Sequence, residues 1–221
     1  MTDDRERIAR KIAQDLRDGE FVSFGHGIPY EVGKYLTPDK HICIQIESGI
    51  ICLGPGTPAP PGEYELRDST NRFVTDNVGG SFFDTVFSFQ MIRGGHLDKS
   101  IMGAYQADCG GSFANWKLSG RPASGIGGAM DLAVGARQVI LAMESRRKDG
   151  ASKLVERYTY PLTAKEVVSR IYTEFGVLGI KDHTFILEEL FEDYTVDRAL
   201  ERISAPTRVL ESLRVICVNA L

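Results

Sequence analysis

The chain has 221 residues, a formal net charge of −4 at pH 7, and 43% hydrophobic residues. This length suits one large domain, and the apolar content is enough for a sizeable core, which argues against disorder. An acidic chain without a stripe of Lys and Arg is not typical of proteins that bind the nucleic-acid backbone. We therefore expect a single folded domain over residues 1–221 that does not bind nucleic acid.

The amino-terminal segment MTDDRERIARKIAQDL has no basic region followed by an apolar core, and the apolar runs elsewhere are too short to cross a membrane. These patterns predict a cytoplasmic protein without a signal peptide or membrane contact. The four cysteines form no CxxC pair and the histidines lack metal-ligand spacing, so we expect reduced, buried thiols and no metal site. The cysteines are Cys43, Cys52, Cys109 and Cys217.

The first half of the chain predicts short helices and strands in turn. Apolar residues at helical spacing indicate a helix over 3–17, which Thr2 or Asp3 caps. The elements that follow are a strand over 21–24, a Gly-rich turn over 25–29, a helix over 29–36, a buried strand over 42–46, apolar chain to Leu53, a loop over 54–63 and a short strand at 73–75.

The second half continues this pattern. Residues 83–91 predict a helix whose buried face carries Phe83, Val86, Phe87 and Met91. The further predictions are a turn over 93–96, a strand from 97, a Gly-rich segment over 109–128, a helix over 129–136, a strand over 138–143, a capping box at 163–166 that begins a helix to about Phe175, a strand pair around the turn at 181–183, and a helix over 196–203.

Helices and buried strands alternate along the whole chain. This order is typical of an α/β fold, and we predict an open, mainly parallel sheet with helices on both faces. In such sheets, ligands bind at the carboxyl ends of the strands, in the loops that lead into helices.

Glu47 is the most informative polar residue because it ends a strand with apolar residues on both sides. Such surroundings hold a carboxylate partly out of water, and a glutamate held in this way is a competent nucleophile toward acyl groups. Gly49 permits a sharp turn directly after it. The alternative is an ordinary turn carboxylate at a strand end.

The loop from Gly125 to Ala129 precedes a predicted helix, and its consecutive glycines allow backbone N–H groups to face an anion. The alternative is a tight turn into a helix. Arg93, His96 and Asp98 surround another Gly-Gly turn; they suit anion binding or proton transfer, but we favour a structural turn in which Arg93 pairs with Asp98. For His26, which lies between two glycines, we favour a structural or substrate-adjacent role over metal binding.

Taken together, the motifs resemble the B subunit of family I coenzyme A transferases, in particular the group that acts on 3-oxoacids. The resemblance runs from about residue 5 to residue 180 and then fades. The two most specific stretches are Met91–Asp98 and Gly125–Leu132. The others are 18–22, 25–29, 45–51, 53–55, 81–84, 88–89, 114–116, 143–144 and 160–163.

The resemblance implies the open α/β fold of these transferases and a reaction that moves CoA between carboxylic acids. It implies that Glu47 is the nucleophile and that Gly127, Gly128 and Ala129 lie beside the thioester. CoA is then a substrate, and no further cofactor is expected. A separate A subunit of similar size would help to form the active site, which makes the enzyme a hetero-oligomer that binds an acyl-CoA and a carboxylic acid.

Three residues depart from the family pattern. Ile46 and Ser48 replace the usual Ser and Asn around the glutamate, so that Glu-Ser-Gly resembles the glutaconate branch, and His26 replaces an apolar residue. These departures leave the acyl substrate open. Two other functions remain as alternatives: an acyl-CoA hydrolase on the same scaffold, and a non-catalytic subunit that binds ligand without turnover.

Overall fold

The computed structural model describes residues 3–57, 65–68, 71–118, 120, 122 and 125–218. The helices are α1 (Asp4–Asp15), α2 (Ile28–Glu31), α3 (Thr85–Arg93), α4 (Ala129–Gly135) and α5 (Val196–Leu200), with a 3-10 helix at Val32–Tyr35. The strands are β1 (Phe21–Phe24), β2 (Cys43–Ile46), β3 (Ile50–Gly56), β4 (Val74–Phe82), β5 (Lys99–Met102), β6 (Gln106–Asp108), β7 (Phe113–Ala114), β8 (Gln138–Ala142), β9 (Leu154–Val155), β10 (Val168–Tyr172), β11 (Gly176–Lys181), β12 (Thr184–Phe191) and β13 (Thr207–Ile216).

Ten of these strands form one sheet in the order β13-β12-β11-β10-β8-β5-β1-β2-β3-β4. The five central strands, from β10 to β2, run parallel to one another. Antiparallel pairs extend the sheet from β10 to β12 on one side and from β2 to β4 on the other. β6, β7 and β9 form a second, small sheet. The predicted open, mainly parallel sheet is confirmed.

Apolar residues cover both faces of the central strands because neighbouring side chains in a strand point to opposite sides. Ile101 and Ile140 pack in one core cluster with Ile8 and other residues of α1. The next residues along the same strands, among them Met102, pack in a second cluster with residues of α3 and α4. Helices therefore lie on both faces of the sheet, as the alternating pattern predicts.

The predicted helix after residues 163–166 is wrong, because this segment forms β10 between β8 and β11. Glu166 has a φ of 55°, which no helical capping box allows. The Thr163 hydroxyl accepts a hydrogen bond from the backbone N–H of Asn115 and donates one to its side chain. The β-branched residues of Val168–Tyr172 and their burial between two strands outweigh the local capping signal.

The predicted helix over 83–91 exists, but its boundaries and its buried face differ from the prediction. It begins at Thr85 because the Asp84 carboxylate accepts a hydrogen bond from the Phe87 N–H at 2.8 Å and caps the helix. Ser88 and Ile92 are buried, whereas Val86 and Phe87 are exposed. The preceding strand, β4, has nine residues and is much longer than the short strand predicted at 73–75.

Cys43 and Cys52 form a disulfide, so the expectation of reduced thiols is wrong for this pair. The antiparallel pairing of β2 and β3 brings together two cysteines that are nine residues apart in the sequence. A search for closely spaced CxxC pairs does not find such a contact. Cys109 is a buried free thiol and Cys217 an exposed one. Residues 54–56 belong to β3 and not to the predicted loop, and residues 58–63 of that loop lie outside the described residues.

Among the described residues, no helix is both long enough and apolar enough to span a membrane.

Candidate active site

Glu47 lies in the tight turn between β2 and β3. The Gly49 N–H donates a hydrogen bond to the Ile46 carbonyl at 3.0 Å and closes this turn. Gly49 has a φ of 120°, and a Cβ atom there would lie 1.9 Å from the carbonyl oxygen of Phe83. Both its conformation and the lack of space require glycine. The turn thus holds Glu47 in one place at the end of a parallel strand.

The half-buried carboxylate of Glu47 rests on the Gly-rich loop before α4. A Cβ atom at Gly128 would lie 2.1 Å from Glu47 Oε2, and one at Gly127 would lie 3.9 Å from Oε1. The Phe89 ring of α3 also lies close to Gly128, since its Cζ would be 3.0 Å from the same Cβ. The structure therefore brings together Glu47 and the loop of Gly127, Gly128 and Ala129, which the sequence marks as candidate site residues.

These residues line a cavity of about 1310 Å³. The other walls include the segments that follow β1, β5 and β8, with residues 25–27, 103–105 and 143–144. Because β1, β2, β5 and β8 are parallel, their carboxyl ends meet at one edge of the sheet, where open α/β sheets bind ligands. His26 is an exposed part of this wall.

The cavity contains cationic side chains although the chain as a whole is acidic. Arg5 and Lys153 both line it. Burial lowers the pKa of the Lys153 ammonium, and the negative charge of Glu144 opposes that effect. Sequence reasoning missed these two residues because Arg5 lies on α1 and Lys153 before β9, and only the fold brings them to the same cavity. They supply the local positive charge that a polyanionic ligand needs.

The predicted pair of Arg93 and Asp98 is wrong. Arg93 forms an ion pair with Asp131 of α4 at 2.7 Å, while Asp98 binds Arg137 at 2.9 Å and accepts a hydrogen bond from the Phe21 N–H. These contacts hold the 93–98 turn, which connects α3 with β5, to neighbouring elements. Among the described residues, no group of His, Cys, Asp and Glu is arranged to hold a metal ion.

Comparisons with known proteins identify the protein family. The family model for coenzyme A transferase matches residues 5–201. The chain is 42% identical over 188 residues to acetate CoA-transferase subunit beta of Escherichia coli strain K12, with 85% of this chain and 86% of that protein covered. It is 36% identical over 214 residues to human succinyl-CoA:3-ketoacid coenzyme A transferase 2, mitochondrial, with 96% of this chain and 41% of that protein covered.

A solved structure shows the same fold. The acyl-CoA transferase of Escherichia coli O157:H7, in a thioester complex with CoA, matches with a TM-score of 0.75 at 17% identity, covering 98% of this chain and 43% of that chain. The chain therefore spans less than half of the two longer proteins. It belongs to the coenzyme A transferase family, and the resemblance in its motifs is confirmed.

Proposed function

We propose that the chain is the B subunit of a coenzyme A transferase in which Glu47 carries CoA as a covalent thioester. The strongest support is the position of the Glu47 carboxylate next to Gly127 and Gly128, inside a cavity at the carboxyl ends of four parallel strands. A carboxylate fixed beside the backbone of a Gly-rich loop has both the nucleophile and the candidate oxyanion donors that acyl transfer requires.

The proposed reaction is a double displacement. A carboxylate oxygen of Glu47 attacks the thioester carbonyl of the donor acyl-CoA, the C–S bond of the tetrahedral intermediate breaks, and CoA leaves as a thiolate, so that the donor acyl group is joined to Glu47 as a mixed anhydride. The thiolate then attacks Cδ of Glu47 and the donor acid leaves as a carboxylate, so that the enzyme holds a glutamyl-CoA thioester. An acceptor carboxylate reverses these steps and departs as its own acyl-CoA.

The backbone N–H groups of Gly127, Gly128 and Ala129 are the proposed oxyanion donors in each tetrahedral intermediate. One such donor typically contributes about 2.7–4 kcal/mol to the stabilisation of the transition state. Arg5 and Lys153 line the cavity and are the proposed groups that attract the phosphates of CoA. CoA is a substrate in this scheme, and the subunit needs no further cofactor.

We propose a 3-oxoacid as one of the two acids. The human relative is named for a 3-ketoacid, whereas the bacterial subunit is named for acetate, so the family alone does not determine the acid. Ile46, Ser48 and His26 are the positions near the site that depart from the family pattern, and they are the candidates for setting this choice. The proposed active form is a hetero-oligomer with an A subunit, in the cytoplasm.

The test replaces Glu47 by Ala in the complex with the A subunit. The variant is expected to fold and assemble but to lose CoA transfer entirely, because the carboxylate that carries the thioester is removed. Transfer at the wild-type rate in Glu47→Ala would refute the proposal. CoA release measured with and without an acceptor acid separates transfer from hydrolysis: a transferase depends on the acceptor, whereas a hydrolase releases CoA without it.

A further inference from the structure

The disulfide between Cys43 and Cys52 connects the two strands on either side of the Glu47 turn. Cys43 is the first residue of β2, and Cys52 is the third residue of β3. The neighbours of both cysteines line the cavity, with residues 44–46 on β2 and residues 53–54 on β3. The bond therefore joins two strands that form one wall of the candidate active site.

A regular ladder between β2 and β3 would keep the two sulfur atoms apart. Gln45 lies opposite Ile51 in this antiparallel pair, so a continued ladder would place Cys52 opposite residue 44, the neighbour of Cys43. Opposed residues point to the same face of a sheet, and neighbours along one strand point to opposite faces. Cys43 and Cys52 would then project from opposite faces, in a geometry that no disulfide can bridge.

The structure joins the two cysteines because Cys52 leaves the ladder. Its φ of 55° is in the left-handed region, which a cysteine adopts only at a cost in free energy. The pairing of β2 with β3 reaches Ile51, and the register of β3 against β4 shifts between Ile51 and Leu53. The disulfide and the irregular backbone at Cys52 thus depend on each other, since the bond requires a conformation that is unfavourable without it.

The proposed location of the protein makes this bond unusual. Thiol reductants keep most cysteines of cytoplasmic proteins reduced, and the disulfides that do form there are usually transient and either catalytic or redox-sensing. Cys52 is only partly buried, so this part of β3 is open to a small reductant. Cys109 and Cys217 are free thiols, which leaves Cys43 and Cys52 as the disulfide of the described residues.

We propose that the Cys43–Cys52 disulfide is a redox switch that controls the Glu47 turn. In the oxidised chain, the bond holds β3 in its irregular conformation and fixes the turn. When the bond is cleaved, Cys52 returns to extended backbone and the ladder continues past Ile51, which moves residues 53–54 of the cavity wall. The inference rests on the proposed function, because the turn that it controls carries the proposed nucleophile.

The chemistry of the switch is thiol–disulfide exchange with a dithiol. A thiolate of the reductant attacks one sulfur of the pair, the S–S bond breaks, and a mixed disulfide forms. The second thiolate of the reductant then releases the chain. The reductant loses two electrons and two protons and becomes a disulfide, while Cys43 and Cys52 gain them and become thiols.

The test uses the complex with the A subunit before and after treatment with dithiothreitol, well below the unfolding temperature. Reduction is expected to lower kcat for CoA transfer by about 10- to 100-fold, since a misplacement of about 1 Å at a reacting group can cost about 100-fold. It should also change the rate of amide hydrogen exchange at residues 50–54 while leaving β8 and β10 unchanged. Oxidised glutathione should restore both values in the wild type.

Two substitutions separate this pair from all other thiols of the complex. Cys52→Ser removes the bond, and it should show the kcat of the reduced wild type and no response to dithiothreitol. Cys217→Ser is the matched control, because it removes an exposed free thiol and should keep the full wild-type response. If Cys52→Ser does not fold, the reversible reduction of the wild type and the response of Cys217→Ser still decide the question.

Equal kcat of the oxidised and reduced wild type would overturn the inference, and so would a response to dithiothreitol that persists in Cys52→Ser. Reduction that leaves hydrogen exchange at residues 50–54 unchanged would also overturn it. If neither form of the wild-type complex transfers CoA, the proposed function fails, and hydrogen exchange alone then decides whether the bond controls the turn.

Discussion

The carboxylate of Glu47 lies so close to the backbone of Gly128 that a Cβ atom at position 128 would be 2.1 Å from Oε2. Gly128→Ala should therefore displace either the carboxylate or the loop. A misplacement of about 1 Å at a reacting group can cost about 100-fold in rate, and we expect kcat/KM of the complex to fall by at least that factor.

The control for this prediction is Gly33→Ala in the 3-10 helix. A Cβ atom at Gly33 meets no atom within 4 Å, so the wild-type rate is expected there. Wild-type turnover in Gly128→Ala would mean that the contact between Glu47 and the loop is not used in the reaction.

Local sequence patterns predicted the centre of the fold well. The strands at β1, β2 and β8 and the helix α4 follow from buried apolar runs and Gly-rich turns, and their order alone indicates a parallel sheet. The capping-box prediction failed because β10 takes its structure from two neighbouring strands, and local signals carry no information about them.

The site was predictable only in part, for a related reason. Glu47 and the 127–129 loop each stand out because a strand end and a Gly-rich turn are local features. Arg5 and Lys153 do not, since only the folded sheet brings α1 and the segment before β9 to the same cavity. The sequence pattern predicted that Val86 and Phe87 of α3 are buried, but both are exposed in this chain. An apolar pattern marks a helix face that favours burial and does not show which residues pack against it.

The disulfide between Cys43 and Cys52 closes a short loop around Glu47. Reduction should lower the free energy of unfolding by roughly 2–3 kcal/mol, because the reduced chain gains conformational freedom when unfolded. Urea denaturation with and without dithiothreitol measures this difference. Cys217→Ser, which removes an exposed free thiol, should show the same difference as the wild type. Equal stability of the oxidised and reduced wild type would contradict a stabilising role for the bond.

Lys11 on α1 forms a buried ion pair with Glu189 of β12 at 2.9 Å, and both side chains are almost fully inaccessible. Lys11→Met leaves the carboxylate of Glu189 buried with one partner fewer, and we expect a loss of about 3 kcal/mol in the free energy of unfolding. The same change at the exposed Lys165, which pairs with Glu166 at 3.1 Å, should cost less than about 1 kcal/mol. Equal losses in the free energy of unfolding, measured by chemical denaturation, would show that burial does not increase the contribution of the ion pair to stability.

Lys153 should contribute to acyl-CoA binding more than to chemistry. We expect Lys153→Met to raise KM for acyl-CoA about tenfold with little change in kcat, since one charged contact to a phosphate is lost. Burial lowers the pKa of Lys153, so the wild type loses this cation at a lower pH than it would lose an exposed lysine.

The KM advantage of the wild type over Lys153→Met should therefore be present at neutral pH and shrink as the pH rises through that lowered pKa. Steady-state kinetics across neutral and alkaline pH test this dependence, with Lys148→Met as the exposed control. A KM ratio that does not change with pH would exclude the ammonium of Lys153 as the binding group.

The most direct test of the covalent mechanism is the intact mass of this subunit after its complex with the A subunit is exposed to acetoacetyl-CoA or succinyl-CoA. The account predicts a mass gain of one CoA that peptide mapping assigns to Glu47 and that is absent in Glu47→Ala. A well-folded complex that forms no adduct across a broad panel of acyl-CoA donors, or an adduct on another residue, would contradict it.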